Sequence, residues 1–275
     1  MGYQITDDQI AQFHRDGYLL VKGLFDAEEA RMMLSAARGD DTIDENAFNV
    51  TDAAGRKSRM TLWNHPSDDI FGAVARCRRM VDTSERLLGD EVYHYHSKLS
   101  MKEPKVGGAW EWHQDYGYWY QNGCLFPDML SVMIALDPST RENGCMQVLK
   151  SSHKLGRVEH RLTGDQTGAD YDRVAWAKEH FELVYCEMDP GDAFFFHGNT
   201  LHASAPNDSD KPRWVLLSCY NAKHNNPYKE HHHPSYTPLA KVEDSAVREA
   251  GTKQLDTHRA YMDVRKDRTT KAGKP

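Results

Sequence analysis

GAWEWHQDYGYWY, residues 108–120, sets a histidine and an aspartate two positions apart in a run of aromatic and apolar residues. Side chains two apart on a strand point to the same face. His113 and Asp115 would therefore present an imidazole and a carboxylate together. These are two of the three ligands of a facial triad, which leaves three positions open and suits Fe(II) that must also bind a cosubstrate and O2. A chain with 15 His produces one such pair easily, so the later segments matter. PGDAFFFHGNTLHAS, residues 190–204, offers a second imidazole at His197 or His202. Arg213 follows His202 by eleven residues, across a turn holding Asn207, Asp208 and Pro212. Two positions on adjoining antiparallel strands can face one cavity, and a guanidinium there offers a bidentate grip on a carboxylate. Metal ligands beside a fixed cation suit a dicarboxylate that chelates at one end and is clamped at the other.

Outward from this stretch, the chain from about Glu91 breaks into short segments rich in Val, Tyr, Phe, Ile and Cys, separated by Gly, Pro and Asp turns. That pattern predicts an antiparallel sheet system, with strands at 92–101, 109–115, 130–136, 147–149, 183–187, 193–197 and 214–221. The amino-terminal part reads differently. Thr6 caps a helix ended by Gly17, residues 18–21 form a short strand, and Asp26 opens a second helix. Residues 39–60 read as a polar loop, and 68–88 as a third helix. An insert at 157–180 is polar with one helical section, and 243–275 reads as a surface helix with a basic tail. The expected class is mainly β with flanking helices, a sandwich or barrel. One domain spans 1–275, with a helical entry (1–90), a β core (91–222) and a carboxy-terminal extension (223–275).

The 275 residues carry 34 Lys plus Arg against 41 Asp plus Glu, a net charge of −7. Nothing general in that balance draws the chain to nucleic acid or an anionic membrane. Runs of 18 apolar residues are absent, so no membrane span is expected, and the amino terminus does not read as a secretory signal. Five scattered Cys with no CxxC pair predict neither a disulfide framework nor a zinc ribbon. A cytoplasmic protein is the expectation; the sequence leaves the oligomeric state open.

WHQD (112–115), RENGCMQVLKSSH (141–153) and DPGDAFFFHGNTLHASAPNDSDKPR (189–213) together resemble the phytanoyl-CoA dioxygenase family of Fe(II)- and 2-oxoglutarate-dependent oxygenases, over roughly residues 5–240. The resemblance implies a double-stranded β-helix, a cupin-like jelly-roll barrel buttressed by helices. It makes His113, Asp115 and His202 the iron ligands and gives Arg213 the distal carboxylate of 2-oxoglutarate, with Ser204 and Ser131 as supporting hydroxyls. Lys98, Ser100 and Lys102, on the strand before the first ligand, are further cosubstrate contacts, and His96 is the better of the His94/His96 pair for touching it. His197 then reads as a structural histidine. One departure is Lys150-Ser151-Ser152-His153, where family members usually have Pro-Gly-Ser-His, so the turn there is open to a different geometry. The implied reaction couples decarboxylation of 2-oxoglutarate to succinate with hydroxylation of an unactivated C–H bond.

For the substrate, RKSRMTLWNHP (56–66) reads as a loop over the site mouth with Arg59, Trp63 and Asn64 as contacts, and residues 39–66 are expected to be mobile until substrate arrives. Tyr116, Trp119 and Asn221 join them, the rings being able to enclose an ammonium by cation–π attraction. Cations at 56–59 beside aromatic rings suggest a small zwitterion such as an aminoalkylphosphonate. The run His231-His232-His233 reads as a solvated loop. A second class stays open: a non-oxidative cupin-like metal-binding protein or isomerase, which would have no use for Arg213. A third, a purely structural jelly roll, would not need the triad.

Overall fold

A computed structural model describes residues 2–163, 166–253 and 259–262. Helix α1 (Asp7–Asp16) begins at Thr6, whose hydroxyl accepts the Gln9 N–H while the Gln9 side chain accepts the Thr6 N–H. This reciprocal capping box fixes the helix start. The helix stops at Gly17, whose φ of 84° is left-handed and disfavours any side chain. Strand β1 (Tyr18–Val21) follows, then α2 (Ala27–Gly39), capped in the same way by Asp26 and Glu29.

Residues 39–60, expected to be a loop, instead hold α3 (Asp41–Glu45), β2 (Phe48–Thr51) and the first part of β3 (Lys57–Trp63). The turn-forming residues belong only to a hairpin tip. There the Asp52 carboxylate accepts N–H bonds from Ala54, Arg56 and Ala109 at 3.0, 2.8 and 2.7 Å. The third helix is two, α4 (Ile70–Arg76) and α5 (Arg78–Leu88), broken at Cys77, whose ψ of 149° is extended.

The chain then runs through β4 (Val92–Lys102), β5 (Trp110–His113), the short helix α6 (Asp115–Trp119), β6 (Met129–Ala135) and β7 (Met146–Leu149). The polar insert forms the hairpin β8 (His160–Thr163) and β9 (Gln166–Ala169), unforeseen, before the expected helix α7 (Tyr171–His180). The sequence closes with β10 (Leu183–Cys186), β11 (Ala193–His197), β12 (His202–Ser204), β13 (Arg213–Ala222) and α8 (Ala246–Gly251). Seven strands make one sheet in the order β1-β11-β6-β13-β4-β3-β2, and four make the other, β10-β7-β12-β5. All pairings within them are antiparallel. The result is the expected jelly roll.

Alternation along β6 divides the core. Leu130, Val132 and Ile134 face outward into a cluster with Phe13, Phe71, Val74, Met80 and Val81 of the helices. Met133 and Ala135 face inward, with Phe194, Phe196, Val215 and Leu217, against Met146 and Val148 of the smaller sheet. The helices thus buttress one face of the large sheet only. Helix α8 joins that layer, for Val247 is fully buried. It was expected at the surface, and the basic tail beyond it falls outside the described residues.

At Lys150-Ser151-Ser152-His153 the turn sets a residue other than glycine in the left-handed region. Ser151 takes a left-handed φ of 67°, and its N–H and Oγ hold the carbonyls of Asp16 and Arg15 at 2.7 and 2.8 Å. These bonds offset a strain of about 1 kcal/mol.

Arg259 crosses the helical layer with no side-chain exposure and pairs with Asp40 and Asp69. Its guanidinium lies 5.1 Å from the Phe71 ring centroid and 5.7 Å from that of Trp63. Breaking a buried pair leaves uncompensated charge, a cost of about 3–5 kcal/mol. Arg259→Met is expected to lower unfolding free energy by that order, measured by urea denaturation.

Candidate active site

His202 sits directly opposite His113 where β12 pairs with β5, and the two rings lie 4.1 Å apart between centroids. Asp115 is not on the strand, as expected, but is the first residue of α6. Gln114 stays extended (φ −114°, ψ 133°), so the alternation survives one residue past the strand and Asp115 still turns toward the same side. Gln114 is itself fully buried and held from three directions. Its backbone N–H donates to His160 Nε2, its side-chain Nε2 donates to the carbonyls of Gly156 and Asn199, and its Oε1 accepts from the Val158 N–H. The carboxylate Oδ1 lies 3.8 Å from His113 Nε2 and 3.9 Å from His202 Nε2. All three ligand atoms fall within 4.8 Å of one another.

The imidazoles are oriented by their own backbone. His113 Nδ1 donates to the Glu111 carbonyl at 2.6 Å, and His202 Nδ1 to the Thr200 carbonyl at 2.9 Å. Each neutral ring is thereby left with a lone pair on Nε2, aimed at the common point, as metal-binding histidines require. Burial holds both rings below the usual imidazole pKa, so they are neutral at physiological pH. Burial opposes the Asp115 charge, but the Lys98 ammonium and the Ser131 hydrogen bond outweigh it and keep the carboxyl ionised. Ser131 Oγ donates to Asp115 Oδ2 at 2.5 Å. Ser131, expected as a hydroxyl supporting the cosubstrate, thus orients the Asp115 carboxylate, and it is not among the residues that line the cavity.

A cavity of about 350 Å³ opens on these three side chains. At one end, Arg213 is fully buried opposite Lys102, with which it pairs in register between β13 and β4. Arg213 makes no ion pair among the described residues, and its Nε has no hydrogen-bond partner. Burial lowers its pKa to about 10, so the guanidinium remains charged. Burial and the Arg213 charge together push Lys102 well below its usual value. Its Nζ donates to Ser204 Oγ at 2.7 Å and to the Ala205 carbonyl at 2.5 Å. The Ser100 hydroxyl, also on the cavity wall, has no partner. A buried guanidinium with no ion pair among the described residues, beside a desolvated lysine and a free hydroxyl, is costly unless an anion joins them. The donor set fits a carboxylate at that end and a divalent metal at the triad.

Among the other expected residues, Lys98, His96 and Trp119 line the cavity. His96 lies six residues along β4 from Lys102, at the far end from Arg213, so it is not placed for the distal carboxylate. Trp63 is a fully buried core residue against Phe71 and Tyr261, not a mouth residue. Arg59 pairs with Asp44 on the outer surface, and Arg56 with Asp208. Asn64 is spent on His94, His232 and His233. Tyr116 donates to the Cys124 carbonyl, and Asn221 to Tyr93 and the Asn225 carbonyl. None of these last five lines the cavity. The residues that do, and were not foreseen, include Asn49 and Met60 of the β2–β3 hairpin, Asn122, Gln166, His233 and Met262. His233, expected in solvent, is buried. His197 is structural, its Nδ1 accepting the Asn199 N–H.

The fold and this donor set define a 2-oxoglutarate-dependent non-haem iron dioxygenase. Residues 13–215 match the model of the phytanoyl-CoA dioxygenase (PhyH) family, and the chain belongs to that family. It is 29% identical over 258 residues to the L-proline trans-4-hydroxylase of Streptomyces griseoviridis, covering 86% of this chain and 93% of that one. It is 29% identical over 237 residues to the ectoine dioxygenase of Sphingopyxis alaskensis, covering 80% and 77%. Its fold is also that of the S. alaskensis EctD structure with 2-oxoglutarate and 5-hydroxyectoine (TM-score 0.74, 24% identity, 87% and 88% coverage).

Removing a hydrogen bond to a metal ligand typically weakens metal binding by about 10–100-fold. Ser131→Ala is expected to raise the iron dissociation constant by that factor, measured by chelator competition, with the fold retained by circular dichroism.

Proposed function

We propose that the chain hydroxylates an aliphatic C–H bond of a small zwitterion of amino-acid size, with His113, Asp115 and His202 holding Fe(II). The observation that carries this reading is Arg213, a buried guanidinium with no acidic partner, in the same cavity as the triad. A non-oxidative metal protein has no need to sustain that cost; a dicarboxylate cosubstrate answers it. Arg213 would clamp the distal carboxylate of 2-oxoglutarate, Lys102 and Ser204 would complete the grip, and Ser100 would donate its spare hydroxyl. When bound, Fe(II), 2-oxoglutarate and O2 together supply an oxidant strong enough for an unactivated C–H bond. The protein's part is position and shielding. Phe196, Met133, Met146, Val215 and Leu217 wall the cosubstrate end with apolar surface, which excludes water and strengthens the charge contacts within it.

Size restricts the substrate. Binding pockets run from about 300 to 1,000 Å³, so one of about 350 Å³ shared with 2-oxoglutarate favours a compact substrate. Trp110, Tyr118 and Trp119 line the cavity and offer ring faces to an ammonium. The names of the relatives, a proline hydroxylase and ectoine dioxygenases, support a compact zwitterion. The aminoalkylphosphonate stays in the same class, but Arg56 and Arg59, which suggested it, turn outward, so a carboxylate zwitterion takes precedence.

The test is succinate release by the Fe(II)-loaded enzyme across a panel of small zwitterions. Substrate-stimulated release is expected; metal binding with no 2-oxoglutarate consumption would leave the non-oxidative class standing. Losing one partner of a buried charge pair costs about 2–5 kcal/mol. Arg213→Met is expected to raise KM for 2-oxoglutarate roughly hundredfold, read by initial rates, without loss of bound iron.

A further inference from the structure

Resting on the oxygenase reading, the cavity holds a second group of unspent donors on the side away from Arg213. His96 and Lys98 are two residues apart on β4 and both line the cavity. His96 is 3% exposed, and neither ring nitrogen has a hydrogen-bond partner. Lys98 Nζ lies 3.8 Å from Asp115 Oδ1, close enough for attraction and too far for a hydrogen bond. The ring of His233 closes this corner, 4.9 Å from that of His96 and fixed by Asn64 through Nδ1 at 3.1 Å. Burial keeps both imidazoles neutral; His233 spends its one N–H on the Asn64 side-chain carbonyl oxygen, and the one N–H of His96 has no partner among the described residues.

The charges on the wall decide what fits. Asp115 is the single acidic side chain lining the cavity among the described residues, and Lys98 and Arg213 are its two cations. Asp115 faces the two triad imidazoles, and Arg213 stands at the cosubstrate end. Lys98 shares the Asp115 charge with the metal and makes no hydrogen bond to it, so its N–H donors are open to a further anion once metal and cosubstrate are in place. A buried ammonium with free donors gains most from a compact anion with two acceptor oxygens. An unpartnered imidazole N–H two residues along the same strand face supplies the second donor.

We propose that Lys98 and His96 form the anion-binding subsite for the substrate's carboxylate, with His233 as its back wall. The enzyme then selects carboxylates over their neutral or cationic analogues.

The experiment measures succinate release by the Fe(II)-loaded full chain with L-proline and ectoine, each against its carboxamide, and measures 2-oxoglutarate binding separately by calorimetry. The carboxylate is expected to exceed the carboxamide in kcat/KM by about tenfold or more, the scale of one charge-assisted hydrogen bond. Lys98→Met is expected to bring that ratio close to unity, His96→Leu to reduce it in part, and Lys98→Arg to preserve it. A ratio compares two substrates on one protein, so partial misfolding of a variant does not imitate the result. Equal use of carboxamides overturns the assignment, as does stimulation by neither carboxylate. So does a Lys98→Met variant whose ratio is intact but whose affinity for 2-oxoglutarate has fallen, since Lys98 would then serve the cosubstrate. Loss of all succinate release together with no 2-oxoglutarate binding by the wild type would remove the oxygenase reading itself, and this assignment with it. The calorimetry tells that case from the others.

Discussion

The pairing of His202 with His113 across two neighbouring strands is the constraint from which the site follows. Antiparallel register places the two rings on one face without any help from side-chain packing. Each ring is then turned by a carbonyl two residues back in its own chain, Glu111 for one and Thr200 for the other. What remains is to bring up the carboxylate. Gln114 does so by holding its backbone extended for one residue more before α6 begins. Its side chain, tied to Gly156, Asn199 and Val158, anchors that turn to loops on either side. A slip of one residue in the β5–β12 register would send one of the two imidazoles to the opposite face.

The long strand β4 organises everything else in the cavity. Its inward positions from 96 to 102 read His, Lys, Ser, Lys, one polar group about every 7 Å along a barrel that is otherwise apolar. Met60, Leu62, Met133 and Leu217 surround them. Such a row lowers stability, since each group is desolvated and several have no partner. A sequence selected for stability alone would fill it with Val and Ile. Retaining it makes sense where ligands complete the bonding, and the two ends of the row differ in the way two ligands would require.

Strand alternation and local spacing make the His113–Asp115 pair, Arg213 and a strand-rich core legible, while the choice of His202 over His197 and of a jelly roll over a sandwich comes from the family resemblance. His113, Asp115, His202 and Arg213 each sit in a motif that is short in the chain. The far wall is another matter. Lys57–Trp63 was taken for a polar loop because Lys57, Ser58 and Arg59 begin it, although Ser58 is buried and donates to the Gly108 carbonyl. Trp63 and Tyr116 were placed at the mouth because aromatic rings suit both a mouth and a core, and composition cannot separate the two. His233 comes from a histidine run whose local sequence is that of a solvated loop, and it is held at the cavity by Asn64, 169 residues away, and by the rings of Tyr95 and His96. Long-range contacts of this kind leave no local periodicity to read.

The carboxy-terminal segment has a consequence for the order in which the enzyme becomes whole. His233 and Met262 form part of the cavity wall, and Met262 is tied to Leu62 by a backbone hydrogen bond of 2.9 Å. Both are translated after β13, the last barrel strand. During synthesis, therefore, the metal ligands are all available while one side of the chamber is still missing. A nascent barrel could take up iron before it could enclose a substrate, so the reactive centre is assembled ahead of its shelter.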